Sequence, residues 1–113
     1  MTYSEDRFTA DCFQLAWNKY PETRYKLFHI VNEGLRSQRT GAKFKSMGLL
    51  PGVPDFAFLW SGITHYCELK LPGGKLSDSQ KKLHAEWKEN GTEISICYDI
   101  DNFEKWLVNI INN

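Results

Sequence analysis

Phe56-Ala57-Phe58-Leu59-Trp60 is the longest apolar run of the chain, and it limits the fold more than any other feature. It falls far short of the ~18 residues that cross a bilayer. Aromatic-rich and bounded by turn residues, it reads as a buried strand. Ser61-Gly62-Ile63 follows, and then a second apolar stretch. Asp55 to Trp60 and Thr64 to Leu71 are therefore predicted to pair as a β-hairpin, which Leu71-Pro72-Gly73-Gly74 ends.

The flanking segments give the hairpin something to pack against. Phe8, Cys12, Leu15 and Ala16 recur at helical spacing over residues 4–19, with Ser4 as N-cap and Glu5 and Asp6 favourable in the first turn. Pro21 marks the exit from that helix. Tyr25 to Val31 reads as a strand, and the glycines and proline of residues 33–53 make a loop with a short helix around 38–47. Ser77, with Gln80 three residues on, forms a capping box that starts a helix running to about Asn90, where Asn90-Gly91 is a stop signal. Glu93 to Tyr98 is a short strand. Asp101 is expected to cap a last helix striped by Phe103, Trp106, Leu107, Ile110 and Ile111. The expected class is α/β: a central mixed β-sheet flanked by helices, in the order α-β-β-β-α-β-α, with a crossover connection near the end. Phe13, Trp17 and Tyr20 form a second aromatic stripe on the first helix, assigned to core packing with a dimer interface as the alternative.

At 113 residues, positions 1–113 are read as one domain. With 42% apolar and 25% charged residues the chain has the composition of a folded domain and not of a disordered tail. The acidic start has no apolar signal region, so the location is expected to be cytoplasmic, without a membrane. Cys12, Cys67 and Cys97 match no zinc spacing and are expected as buried, reduced thiols. His29, His65 and His84 have no metal-ligand spacing either and are read as ordinary polar or half-buried residues. Gly73-Gly74-Lys75 fails as a Walker loop, because Leu76 stands where Ser or Thr is needed.

The chemistry-bearing pattern is Asp55 followed by Glu68-Leu69-Lys70. Glu68 and Lys70, two apart on a strand, leave one face, while Cys67, Leu69 and Leu71 leave the other. Asp55 starts the adjacent hairpin strand, so it can lie beside Glu68 across the hairpin. Two carboxylates and an ammonium thus converge among apolar neighbours, where charge is costly unless paired or metal-bound. Two carboxylates, a backbone carbonyl and water suit Mg²⁺ or Mn²⁺, and such an ion activates water for phosphodiester hydrolysis. A solvated Asp with a surface Glu–Lys pair is the competing reading of the same spacing.

Pro54-Asp55, Glu68-Leu69-Lys70 and the surrounding Lys45-Ser46-Met47-Gly48-Leu49-Leu50-Pro51-Gly52-Val53 and Gly74-Lys75-Leu76-Ser77-Asp78-Ser79-Gln80 resemble the VRR-NUC branch of the PD-(D/E)XK nuclease superfamily. His29-Ile30-Val31-Asn32-Glu33-Gly34 resembles that family's first-strand segment. The resemblance extends over about residues 5–99 and is to stand-alone phage and bacterial members, which are similar to Holliday-junction resolvases. It implies that Asp55 and Glu68 are metal ligands with the Leu69 carbonyl, that Lys70 is the catalytic lysine, and that Gln80 supports the site. It also implies an acidic ligand from the first helix. Glu5 is the choice, with Asp6 and Asp11 as substitutes, although Thr9 departs from the Gln often found there.

Net charge is zero, with 14 basic and 14 acidic residues, which argues against a nucleic-acid partner until the charge is divided by position. Residues 24–82 carry ten basic against four acidic side chains. Arg36, Arg39, Lys43 and Lys45 lead into Asp55, and Lys75 follows Lys70; these five are the expected DNA-binding residues. The expected function is a metal-dependent DNA endonuclease, selective for branched, junction or flap DNA and acting as a homodimer, because one chain holds one site. The alternative is a non-catalytic module, on the same scaffold, that binds DNA junctions or a protein. A sequence-specific restriction enzyme is disfavoured, since little chain remains for a base-reading element.

Overall fold

A computed structural model describes residues 2–31 and 38–113, and the side chains of residues 38–41 lie outside that description. Ser4 caps helix α1 (Glu5–Lys19) through the Arg7 amide, and the helix buries Phe8, Cys12 and Ala16. A 3₁₀ turn at Pro21–Thr23 leads to β1 (Leu27–His29), and α2 (Gln38–Ser46) precedes the hairpin of β2 (Phe56–Trp60) and β3 (Ile63–Leu69). Then follow α3 (Asp78–Glu89), β4 (Ile94–Cys97) and α4 (Ile100–Ile111).

The four strands form one mixed sheet in the order β1-β2-β3-β4. The first two pairings are antiparallel, and β3 and β4 run parallel across the α3 crossover. Leu27, Phe56, Phe58, Cys67, Leu69 and Cys97 join Phe8, Cys12, Ala16, Phe103 and Leu107 in one core cluster. Helices α1 and α4 therefore cover one face. The other face carries Tyr66, whose ring centroid lies 4.9 Å from that of Trp87, so α3 covers it. All three cysteines are free and buried, and Cys67 Sγ lies 3.1 Å from Cys97 Sγ. Among the described residues no helix is long and apolar enough to cross a membrane.

Three boundaries differ from the expectation. The strand anticipated over Tyr25 to Val31 contracts to three residues, because the Lys26 amide donates to Thr23 O in a turn and Tyr25 takes a left-handed φ of 68°. The hairpin turn is Ser61-Gly62 alone, both at positive φ, and Ile63 pairs with Trp60. Asp99, not Asp101, caps α4: its Oδ1 accepts from the Asn102 amide at 2.7 Å, and Asp101 lies in the first turn. The aromatic stripe of α1 splits. Phe13 and Tyr20 pack on the core, while Trp17 is 36% exposed.

Candidate active site

The hairpin register puts Phe56 opposite Cys67, so Asp55 and Glu68 fall side by side one step further on, at the base of the hairpin. Asp55 Oδ2 accepts the Leu69 amide at 2.7 Å, which holds its carboxylate against β3. The Asp55 carbonyl is held as well, by the Ile30 amide at 2.8 Å and by His29 Nδ1 at 2.7 Å. Backbone and side chain of Asp55 are thus anchored from both neighbouring strands.

Glu68 is 2% exposed, and its Oε1 has no hydrogen-bond partner among the described residues. Burial is the largest cause that pushes its carboxyl up to about 10; the neighbouring Asp55 adds to the shift and the Lys70 charge opposes it. His84 Nε2 lies 3.7 Å from Oε1, too far for a hydrogen bond, and is itself unpartnered. Burial lowers the His84 pKa, and the Lys70 charge acts in the same direction. Two polar atoms that folding ordinarily satisfies are therefore left facing one another.

Gly52 ties this corner to α3. It sits at φ +86°, and a Cβ there would come within 2.6 Å of Ser79 O and 2.9 Å of the Gln80 amide. Only glycine allows the loop before Asp55 to abut the start of the helix this closely. At that start Ser77 Oγ accepts the Gln80 amide, and Gln80 Oε1 accepts the Ser77 amide at 2.8 Å. Above the carboxylates lies a cavity of about 520 Å³ lined by Glu5, Asp6, Thr9, Phe13, His29, Asp55, Glu68 and Gln80, among others.

The fold thus gathers Asp55, Glu68, Gln80 and Glu5 of the expected residues around one cavity, with Asp6 beside them. Asp11 is not among them: it accepts from Tyr3 Oη at 2.6 Å and pairs with Arg7 at 3.1 Å, which removes it as a substitute for Glu5. Lys70 follows β3, its amide donating to Cys97 O, and its charge acts on Glu68 and His84 from outside the cavity lining. Lys43 and Lys45 are exposed in the last turn of α2, and Lys75 is exposed in the turn before α3. Arg36 and the side chain of Arg39 lie outside the described residues, as do Asn32, Glu33 and Gly34.

His84 is the residue that sequence reasoning passed over. Its signal was its position one turn beyond Gln80, which puts both on the α3 face that meets the sheet. His29 holds the Asp55 backbone, a contact no spacing rule foretells.

An orphaned, buried carboxylate oxygen beside a second, anchored carboxylate is a hard oxygen donor set, and it fits a divalent cation of the Mg²⁺ or Mn²⁺ kind. Among the described residues no three Asp, Glu, His or Cys side chains converge as a complete cage. Such an ion would therefore draw the rest of its shell from backbone oxygen and water.

Fold and site define an α/β domain with a mixed four-stranded sheet and an acidic pair at the base of its central hairpin. A solved structure of that shape is a VRR_NUC domain protein, similar to this chain at a TM-score of 0.76 and 19% identity over 99% of this chain and 91% of the other. That likeness establishes a shared fold. No protein-family model and no curated protein matches the sequence.

Proposed function

We infer that this chain is a metal-dependent DNA endonuclease of the PD-(D/E)XK kind. The observation that carries the reading is the buried Glu68 Oε1, unpartnered among the described residues, beside the anchored Asp55 carboxylate, at the end of a sheet whose fold is shared with a VRR_NUC domain protein. Asp55, Glu68 and the Leu69 carbonyl would hold Mg²⁺ or Mn²⁺, with Glu5 reaching in from α1. A bound ion supplies an acidified water and a positive charge for a phosphoryl oxygen.

The remaining roles belong to the chain itself. Lys70 offers a cation to the charge that develops on the phosphate. Gln80, fixed by its capping box, keeps the mouth of the cavity in place. His84 stays neutral against Glu68 and excludes water from its buried side. Arg36, Arg39, Lys43, Lys45 and Lys75 would supply the positive charge that meets DNA phosphates. The described residues hold one such site, so cutting both strands of a branched, junction or flap substrate would call for a homodimer.

The test is a cleavage panel of duplex, flap and four-way-junction DNA with Mg²⁺ and Mn²⁺. Wild type is expected to nick branched DNA, and Asp55→Ala, Glu68→Ala and Lys70→Ala to lose at least ~100-fold in rate. Undiminished cutting by all three variants overturns the site. The lack of a three-residue cage among the described residues favours a second reading, a junction-binding module without catalysis. Calorimetric titration separates the two: Mn²⁺ binding that Glu68→Ala abolishes belongs to the enzyme.

A further inference from the structure

An aromatic ladder climbs out of the cavity along α1. Phe13 lines the cavity together with Asp55 and Glu68. Trp17 stacks on Phe13, ring centroids 6.0 Å apart at 30°. Tyr25 meets Trp17 edge-on at 5.9 Å and 71°. The Arg24 guanidinium lies 4.8 Å over the Trp17 ring, and its Nε donates to Trp17 O at 2.9 Å.

Tyr25 is the unusual member. It is 94% exposed, so its ring gains almost nothing from burial. It also takes a φ of 68°, a conformation that a bulky side chain adopts only at a cost. Glycine or asparagine would serve the turn better. A strained backbone that holds a bare aromatic ring in water is a feature stability does not explain.

We propose that the ring of Tyr25, braced edge-on by Trp17, is a stacking platform for unpaired nucleotides of the DNA strand that leaves the site, with Arg24 facing the phosphate. A duplex keeps its base faces stacked on one another, so only an unpaired or terminal base has a face to offer. Arg24 supplies the matching charge, and among the described residues it pairs with no carboxylate. Continuity through Phe13 connects the platform with the carboxylates. The proposal rests on the DNA-binding part of the nuclease reading and names its substrate class: DNA with a single-stranded arm.

Fluorescence anisotropy in EDTA compares a blunt duplex with the same duplex bearing a ten-nucleotide tail. The tail is expected to tighten wild-type binding about tenfold, within the range of one stacked base. Tyr25→Gly, which suits the backbone, and Trp17→Ala are expected to bring tailed DNA back to the blunt value, while Tyr25→Phe keeps the gain. A tail that gives wild type no advantage, or a gain that survives Tyr25→Gly, overturns the platform. So does a change in oligomeric state of Tyr25→Gly by sedimentation velocity, which makes the patch a protein interface. Tail binding by a protein that cuts nothing with Mg²⁺ or Mn²⁺ sinks the nuclease reading and leaves the platform standing.

Discussion

Glu68 concentrates the tension of this molecule. Burial, with Asp55 beside it, pushes its carboxyl up to about 10, so the folded metal-free chain keeps a proton that the unfolded chain releases near the ordinary value of 4.5. The folded state thus binds more protons between those values, and stability falls as pH rises, by at most about 1.4 kcal/mol per unit. Glu68→Gln cannot ionise. Urea unfolding in EDTA at pH 5, 6, 7 and 8 is expected to show a falling stability for wild type and a flatter one for Glu68→Gln, with the variant about 2–3 kcal/mol more stable at pH 7. Equal slopes would show that Glu68 is solvated. Gly52 is the opposite kind of residue, silent in chemistry and decisive in geometry. Its positive φ and its approach to Ser79 O predict that Gly52→Ala costs roughly 2–4 kcal/mol in the same unfolding experiment.

Helix α3 covers the second face of the sheet with Trp87 and His84, and it starts with the Ser77–Gln80 capping box at the cavity. Ser77→Ala removes one cap bond and is expected to cost about 1 kcal/mol by thermal melting. On the nuclease reading it also frees Gln80, so cleavage is expected to fall more than stability predicts. The elements most legible in the sequence were those with local punctuation: Ser4 and Ser77 as caps, Asn90-Gly91 as a stop, and the apolar runs of the hairpin. The first strand was misjudged because Tyr25 looks like a strand residue by composition. Its αL backbone follows from the Pro21–Thr23 turn and not from its own preference. Asp101 lost the cap to Asp99 for a similar reason: both are good cap residues, and the exit of β4 at Cys97 decides which one meets the first free amides.

The whole chain is neutral, yet its basic residues cluster between positions 24 and 82. If that region meets DNA through three or four phosphates, affinity is expected to fall about 100-fold between 0.05 and 0.2 M salt. The double substitution Lys43→Ala with Lys45→Ala is expected to lower the log–log salt slope by about 2, measured by anisotropy titration. An unchanged slope would place α2 away from the DNA. Lys19 pairs with Glu104 at 2.7 Å and Tyr20 Oη also meets that carboxylate, so α1 and α4 are joined by charge that compensates itself.

By itself the sequence determined the hairpin, the caps at Ser4 and Ser77, the parity that sends Glu68 to the face opposite Cys67 and Leu69, and the nearness of Asp55 to Glu68. Those are properties of periods two and 3.6 and of a tight turn, all local in the chain. Tertiary structure decided the rest. It buried Glu68 Oε1 without a hydrogen-bond partner among the described residues, brought His84 against it from α3, set Gly52 on the start of that helix, and chose Glu5 and Asp6 over Asp11 for the cavity. Each of these depends on how far one element lies from another once the core has closed, and no spacing along the chain encodes that distance.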